Sequence, residues 1–115
     1  MGMVEFDKLY ELARSVVNPR RLSDDAEAGG VGAAILTAEG HTFTGVCIDT
    51  ACSMGFCAEH TAAAAMVTAG ENRIVRVIAV GSDGRIMAPC GRCREFMRQL
   101  HPDNGAAEVM VSANT

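Results

Sequence analysis

Met3, Phe6, Leu9, Tyr10, Ala13, Val16 and Val17 recur at three- and four-residue intervals with charges between them, which predicts an amphipathic helix over 3–17. Asn18-Pro19 ends it, because proline restricts the residue before it. Residues 19–30 are charged and glycine-ended and read as a loop. Val31 to Leu36 reads as a strand, and Gly32, Ala33 and Ala34 leave room there for a closely packed neighbour. Glu39-Gly40 is a turn, and His41 to Ile48 returns as an antiparallel partner strand. Ala58 to Ala69 is alanine-rich and helical, with Gly70 as its stop. Ile74 to Val80 is a short β-branched run expected to be buried on both faces. Residues 82–87 form a loop with a turn at Asp83-Gly84. A further helix runs from about residue 90 to Leu100, closed by His101-Pro102, and Ala107 to Ser112 is a last strand. The order helix, strand, strand, helix, strand, helix, strand implies a layered α/β fold with helices on the faces of a sheet. No linker, internal repeat or low-complexity tract interrupts it.

A length of 115 residues suits one compact domain. Hydrophobic residues make up 49% of the chain but aromatics only 4%, so the core must be built from aliphatic residues and many alanines. A domain this small gains from burying more surface against copies of itself. The formal net charge of −4, with no basic stripe, weighs against a nucleic-acid backbone as partner. No apolar run is long enough to span a membrane, and the N-terminus lacks the plan of a secretory signal. Five cysteines, three of them grouped, argue for thiolate chemistry in a reducing compartment, not a disulfide scaffold.

The grouped cysteines carry the chemistry. Cys57-Ala58-Glu59 and Pro89-Cys90-Gly91-Arg92-Cys93 supply three thiolates and one carboxylate. Three thiolates can hold zinc and leave its fourth position open to water, which a closed four-ligand site cannot do. Both runs begin helices, where unpaired N–H groups and the helix dipole favour the thiolate form. Cys90 and Cys93 share one helical turn, and Glu59 stands two residues from Cys57, within reach of a proton on that water. Other readings compete. A lone Cys-x-x-Cys can be a redox dithiol, and a structural zinc would need a fourth ligand from Cys52, His60 or His101. Glu59 could also be an acidic residue favoured in a helix's first turn. Zinc held by three thiolates carries net negative charge, so a nearby cation should offset it. Arg92 is the preferred candidate, with His60 and Arg94 as helpers, against the reading of Arg92 as a solvent-facing residue.

These runs resemble the zinc motifs of the cytidine deaminase family. Val31-Gly32-Ala33-Ala34 is similar to the family's first strand with its close-packed glycine, and Thr44-Gly45-Val46 to part of its second strand. The similarity covers roughly residues 5–112. It implies a three-layer α-β-α fold on a five-stranded mixed sheet. It also implies zinc bound by Cys57, Cys90 and Cys93, Glu59 as proton shuttle, and a homotetramer whose active sites borrow residues from neighbouring subunits. The implied reaction is hydrolytic deamination of a cytosine ring, cytidine or deoxycytidine giving the uridine product and ammonia, as in pyrimidine salvage.

The chain also departs from the family's pattern. Where ordinary members have an asparagine and a glutamate that hold the ribose hydroxyls, it has Cys47 and Asp49, which with Ala58 are the substrate-binding candidates. His60 replaces a usual arginine, Arg92 a frequent alanine, and Glu95 a usual glutamine. The His60 and Arg92 arrangement, the Arg92-Cys93-Arg94 run and the short loop before Cys57 are similar to the blasticidin S deaminase branch, so with Cys47 they make a cytosine-containing antibiotic or a modified nucleoside the alternative substrate. A non-catalytic zinc-stabilised interaction module is the alternative of another class. Editing of a base within RNA or DNA is disfavoured by the charge and by the absence of an aromatic platform. The expected domain spans 1–115, with no evident source for the family's last strand and helix. The expected partners are a small cytosine compound and further copies of the chain, with neither nucleic acid nor membrane, and the expected location is the cytoplasm.

Overall fold

The computed structural model describes residues 6–51, 54–88 and 91–109. Three helices, α1 (Phe6–Ser15), α2 (Ala58–Thr68) and α3 (Gly91–Leu100), pack on a mixed sheet. Its strands among the described residues are β1 (Arg20–Ser23), β2 (Ala26–Thr37), β3 (Thr42–Thr50), β4 (Ile74–Gly81), β5 (Ile86–Met87) and β6 (Glu108–Val109). β2 lies at the centre. One edge of it pairs antiparallel with β3; the other is shared end to end by β1, opposite residues 26–28, and β4, opposite residues 31–37. The outer edge of β4 is divided in the same way between antiparallel β5 and parallel β6. The last crossover, β4–α3–β6, therefore joins parallel strands and makes the sheet mixed.

Alternation along β2 and β4 sorts the core into two layers. Ala34 and Leu36 with Ile78 and Val80 face α1, where Leu9 and Ala13 are buried. Ala33 and Ile35 with Val77 and Ala79 face the other way, against Ala58, Ala62, Ala63 and Met66 of α2 and Cys93 and Met97 of α3. The result is the expected three-layer α-β-α arrangement, with both cysteine-bearing helices on one face.

Two glycines set how closely the helices approach. A Cβ on Gly32 would lie 2.2 Å from the Ala13 carbonyl oxygen of α1, and one on Gly45 would lie 2.4 Å from the Ala62 nitrogen of α2. Both contacts are with backbone that cannot swing away. Thr61 on the same turn of α2 donates from Oγ1 to the Val46 carbonyl at 2.8 Å, fixing the helix along β3 as well as against it.

The sheet has more strands than either the pattern or the resemblance implied. β1 is exposed at every position, so no alternation betrays it. It forms through turn chemistry: Arg21 pairs with Asp24 at 3.0 Å, and the Asp25 N–H donates to Ser23 Oγ at 3.2 Å. β2 begins five residues earlier than Val31 because β1 supplies its partner there. β5 follows the expected Asp83-Gly84 turn, where Gly84 takes φ +82 and the Tyr10 hydroxyl donates to its carbonyl at 2.7 Å. The expected strand 107–112 and helix 3–17 extend partly into residues outside the described set.

Gly45→Ala should therefore lower stability by about 1–3 kcal/mol, the usual cost of overpacking. Urea unfolding would read this as a lower midpoint at unchanged slope, and an unchanged midpoint would show that α2 is not held by this contact.

Candidate active site

The tight seat on β3 puts the start of α2 over the sheet's end. Cys57 is its N-cap, with extended backbone at φ −75 and ψ 162, and Ala58 and Glu59 form the first turn and are buried. Cys93 is fully buried in the first turn of α3. Its Sγ lies 3.9 Å from Glu59 Oε1 and 3.3 Å from His60 Nδ1. The donor atoms of Cys57, His60 and Cys93 all fall within 4.8 Å of one another. Soft thiolates with an imidazole suit zinc by donor chemistry and by spacing. The two cysteine runs thus converge as expected through Cys57 and Cys93. Cys90 and Cys52 lie outside the described residues. His101, the remaining candidate for a fourth ligand, sits at the C-terminal end of α3 and accepts from the Asp103 N–H at 3.0 Å.

An open cleft of about 470 Å³ runs past this group, lined among others by Cys47, Asp49, Cys57, Ala58, Glu59 and Arg92. All three substrate-binding candidates therefore share one cleft with the carboxylate. Cys47 is buried; its sulfur accepts from the Val31 N–H at 3.3 Å and lies 3.8 Å from Asp49 Oδ2. Asp49 is exposed.

Burial pushes the Glu59 carboxyl above its ordinary range, with its backbone hydrogen bond and the Cys93 contact acting the other way. Burial and then the nearby Arg92 charge hold His60 below its ordinary range, which favours a neutral imidazole. The imidazole is stacked on Phe96 with ring centroids 4.2 Å apart and planes 15° from parallel. Residue spacing did not anticipate that stack. Its only signal in the sequence is that Phe96 follows Cys93 by three positions on a helix, the spacing that puts both on one face. Arg92 is exposed and lines the cleft, and His60 contacts the Cys93 sulfur through Nδ1.

A buried carboxylate near the Cys93 sulfur, with a second thiol and an imidazole gathered there at helix starts, is a donor set compatible with zinc beside a cleft. The profile of the cytidine and deoxycytidylate deaminase zinc-binding region matches residues 6–109, and the chain belongs to that family. It is 38% identical over 74 residues to a cytidine deaminase of Halalkalibacterium halodurans, covering 63% of this chain and 55% of that protein. It is 29% identical over 82 residues to one of Mycobacterium tuberculosis, covering 70% of this chain and 59% of that protein. The chain thus spans less than two thirds of the length of these curated relatives. The solved cytidine deaminase of Mycobacterium leprae superposes with a TM-score of 0.78 at 27% identity, over 94% of this chain and 88% of that one. These relatives do not favour the antibiotic substrate or the non-catalytic module.

The raised Glu59 pKa has a consequence for the metal-free protein. Between the ordinary value of 4.5 and its raised value, the folded state binds this proton more tightly than the unfolded chain, so stability falls as pH rises through that window. Above it the ionised carboxylate is fully unfavourable. In chelator-treated protein, Glu59→Gln should be more stable than the native chain at pH 7, and the gap should close as pH falls toward 4.5. Equal unfolding midpoints at both pH values would place Glu59 in water.

Proposed function

We propose that this chain is a zinc-dependent hydrolytic deaminase of the cytosine ring in a free nucleoside, cytidine or deoxycytidine. The observation that carries the reading is the buried Glu59 carboxylate, which lines the cleft with its Oε1 3.9 Å from Cys93 Sγ. Cys57, Cys90 and Cys93 are the proposed zinc ligands. Zinc, when bound, supplies a Lewis acid that makes a water acidic enough to attack near neutral pH.

Glu59 does the proton work. Its raised pKa brings it closer to the pH at which a carboxyl can both accept and return a proton. It takes the proton of the attacking water as oxygen adds to ring C4, delivers it to N3, and then moves a proton to the amino group, which leaves as ammonia. The ring keeps the new oxygen as a carbonyl. Burial keeps competing bulk water from Glu59. His60 is proposed to donate from Nδ1 to the Cys93 thiolate, drawing off charge, with Arg92 adding positive potential from the cleft wall. A histidine that closed the fourth position as a ligand would instead make the site structural, and His60→Gln separates the two roles by retaining or losing metal.

Cys47 and Asp49 line the cleft and are proposed to face the sugar. The Cys47 thiol offers weaker hydrogen bonding than an amide and already accepts from Val31. A homo-oligomer, with the tetramer favoured, is part of the proposal; Leu22, Met54 and Val67 leave apolar surface exposed that association would cover. Among the described residues no helix is long and apolar enough to cross a membrane. The thiolate ligands suit a reducing cytoplasm.

Glu59→Gln should keep one zinc per subunit and lose on the order of 10²–10⁴-fold in kcat, read by ammonia release from cytidine. Near-normal turnover by the zinc-loaded variant would remove Glu59 from the mechanism. Cys47→Asn with Asp49→Glu should raise kcat/KM for cytidine relative to a cytosine compound without ribose hydroxyls by about tenfold, since one well-made buried hydrogen bond contributes roughly 1 kcal/mol or more. If that ratio does not move, these positions do not read the sugar.

A further inference from the structure

We infer that Phe56 is the aromatic wall against which the substrate's planar ring lies, a specificity-determining residue that selects flat heteroaromatic bases. The inference rests on the deaminase reading above and names the chemistry its cleft recognises. Among the described residues lining the cleft, Phe56 is the only aromatic one; its apolar companions are aliphatic, including Val31, Ala58, Ala79 and Met87. It is 39% exposed in a chain with few aromatic residues to place. A singly exposed apolar residue on an open surface needs no explanation. This one stands three positions before the proton-transferring Glu59, in the wall of the same cleft.

Its frame is rigid. The Phe56 N–H donates to the Ile48 carbonyl and the Ile48 N–H donates to the Phe56 carbonyl, both at 2.9 Å, so the residue is bridged to β3 on both backbone groups. Gly55 is seated flush on the same strand, where an added Cβ would fall 1.9 Å from the Ile48 oxygen. On the other side Cys57 caps α2. The ring is thus carried by a strand bridge and a helix start, and holding it there costs little further ordering when a ligand arrives. A phenyl face stacks on any flat ring regardless of its hydrogen-bonding edge. Discrimination among bases then falls to the polar groups beside it, Glu59 and Arg92. Part of the cleft can therefore recognise the ring independently of Cys47 and Asp49, which suits a wall whose sugar-facing candidates are a weakly hydrogen-bonding thiol and a short carboxylate acceptor.

The test uses the full zinc-loaded chain. Phe56→Leu should raise KM for cytidine about tenfold, in line with the loss of one stacking contact, with kcat within about twofold. Phe56→Tyr should stay close to the native values. The chain has no tryptophan, so Phe56→Trp places a single indole reporter in the wall. Its emission should quench saturably with uridine and far less with dihydrouridine, whose ring is not flat. An unchanged KM in Phe56→Leu together with no quenching would overturn the inference. So would a fall in association state by sedimentation at unchanged KM, which would assign Phe56 to a contact between copies of the chain. If the native protein releases no ammonia from any cytosine compound, the deaminase reading fails. Quenching by flat rings would still support Phe56 as their platform, and its absence would remove that too.

Discussion

The close seat of α2 on β3 is the constraint on which the site depends. Gly45 offers no side chain, so the α2 backbone at Thr61 and Ala62 rests directly on the strand. Thr61 then locks the register of helix on strand through the Val46 carbonyl. Cys57, Ala58 and Glu59 occupy the turn just before that contact, so their positions follow from it with little freedom. The opposite layer uses the same device, with Gly32 admitting α1 to β2. A core poor in aromatics and rich in alanine can be dense only if its layers approach this closely, since small side chains fill no wide gap. Composition and catalytic geometry are thus two consequences of one packing solution.

That proximity has an electrostatic consequence. Glu59 enters the core because the helix start that carries it is pressed there, and its carboxyl gains protons more readily as a result. Thiolates gathered beside it would add like charge. The structure answers with an imidazole aimed at the Cys93 sulfur and pinned by Phe96, one helical turn further along α3. Burial, and after it the charge of Arg92 on the same turn as Cys93, biases His60 toward the neutral form. A neutral imidazole can donate one hydrogen bond to sulfur without bringing a full charge into the core, so in the proposed site the exposed arginine and the stacked histidine would divide one task between them.

Much of this was legible in the chain because it rests on periodicity and on residue types that do little else. The three helices, the β2–β3 hairpin, the buried β4 and the convergence of Cys57 with Cys93 follow from such signals. What escaped lacks them. β1 is polar throughout and β5 is two residues long, so neither presents an alternation to detect. Asn104 reads as a loop residue, yet it is buried, accepting from the Ile74 N–H and donating to the Asn72 and Met97 carbonyls. It ties the end of α3 to the start of β4, a role that depends on three chain segments meeting and that no local pattern encodes. Phe56 escaped for a related reason. Its loop has no period, and only the fold shows that this residue is bridged to Ile48 through its backbone and lines the cleft.

The cleft's two walls then explain each other. On the β3 side, Cys47 satisfies the Val31 N–H and its sulfur sits near Asp49, so this wall is already partly paired with itself and has less to give a sugar hydroxyl. On the loop side, Phe56 presents a face that asks of a ligand only flatness. Binding energy in such a cleft shifts from the sugar toward the ring, the part that reacts. Stacking that holds substrate and transition state equally lowers KM without lowering the barrier. In the proposed reaction the acceleration would come from the groups that see charge develop, Glu59 and the thiolates with their imidazole partner. A chain organised in this way would tolerate change in the sugar more readily than change in the planarity of the base.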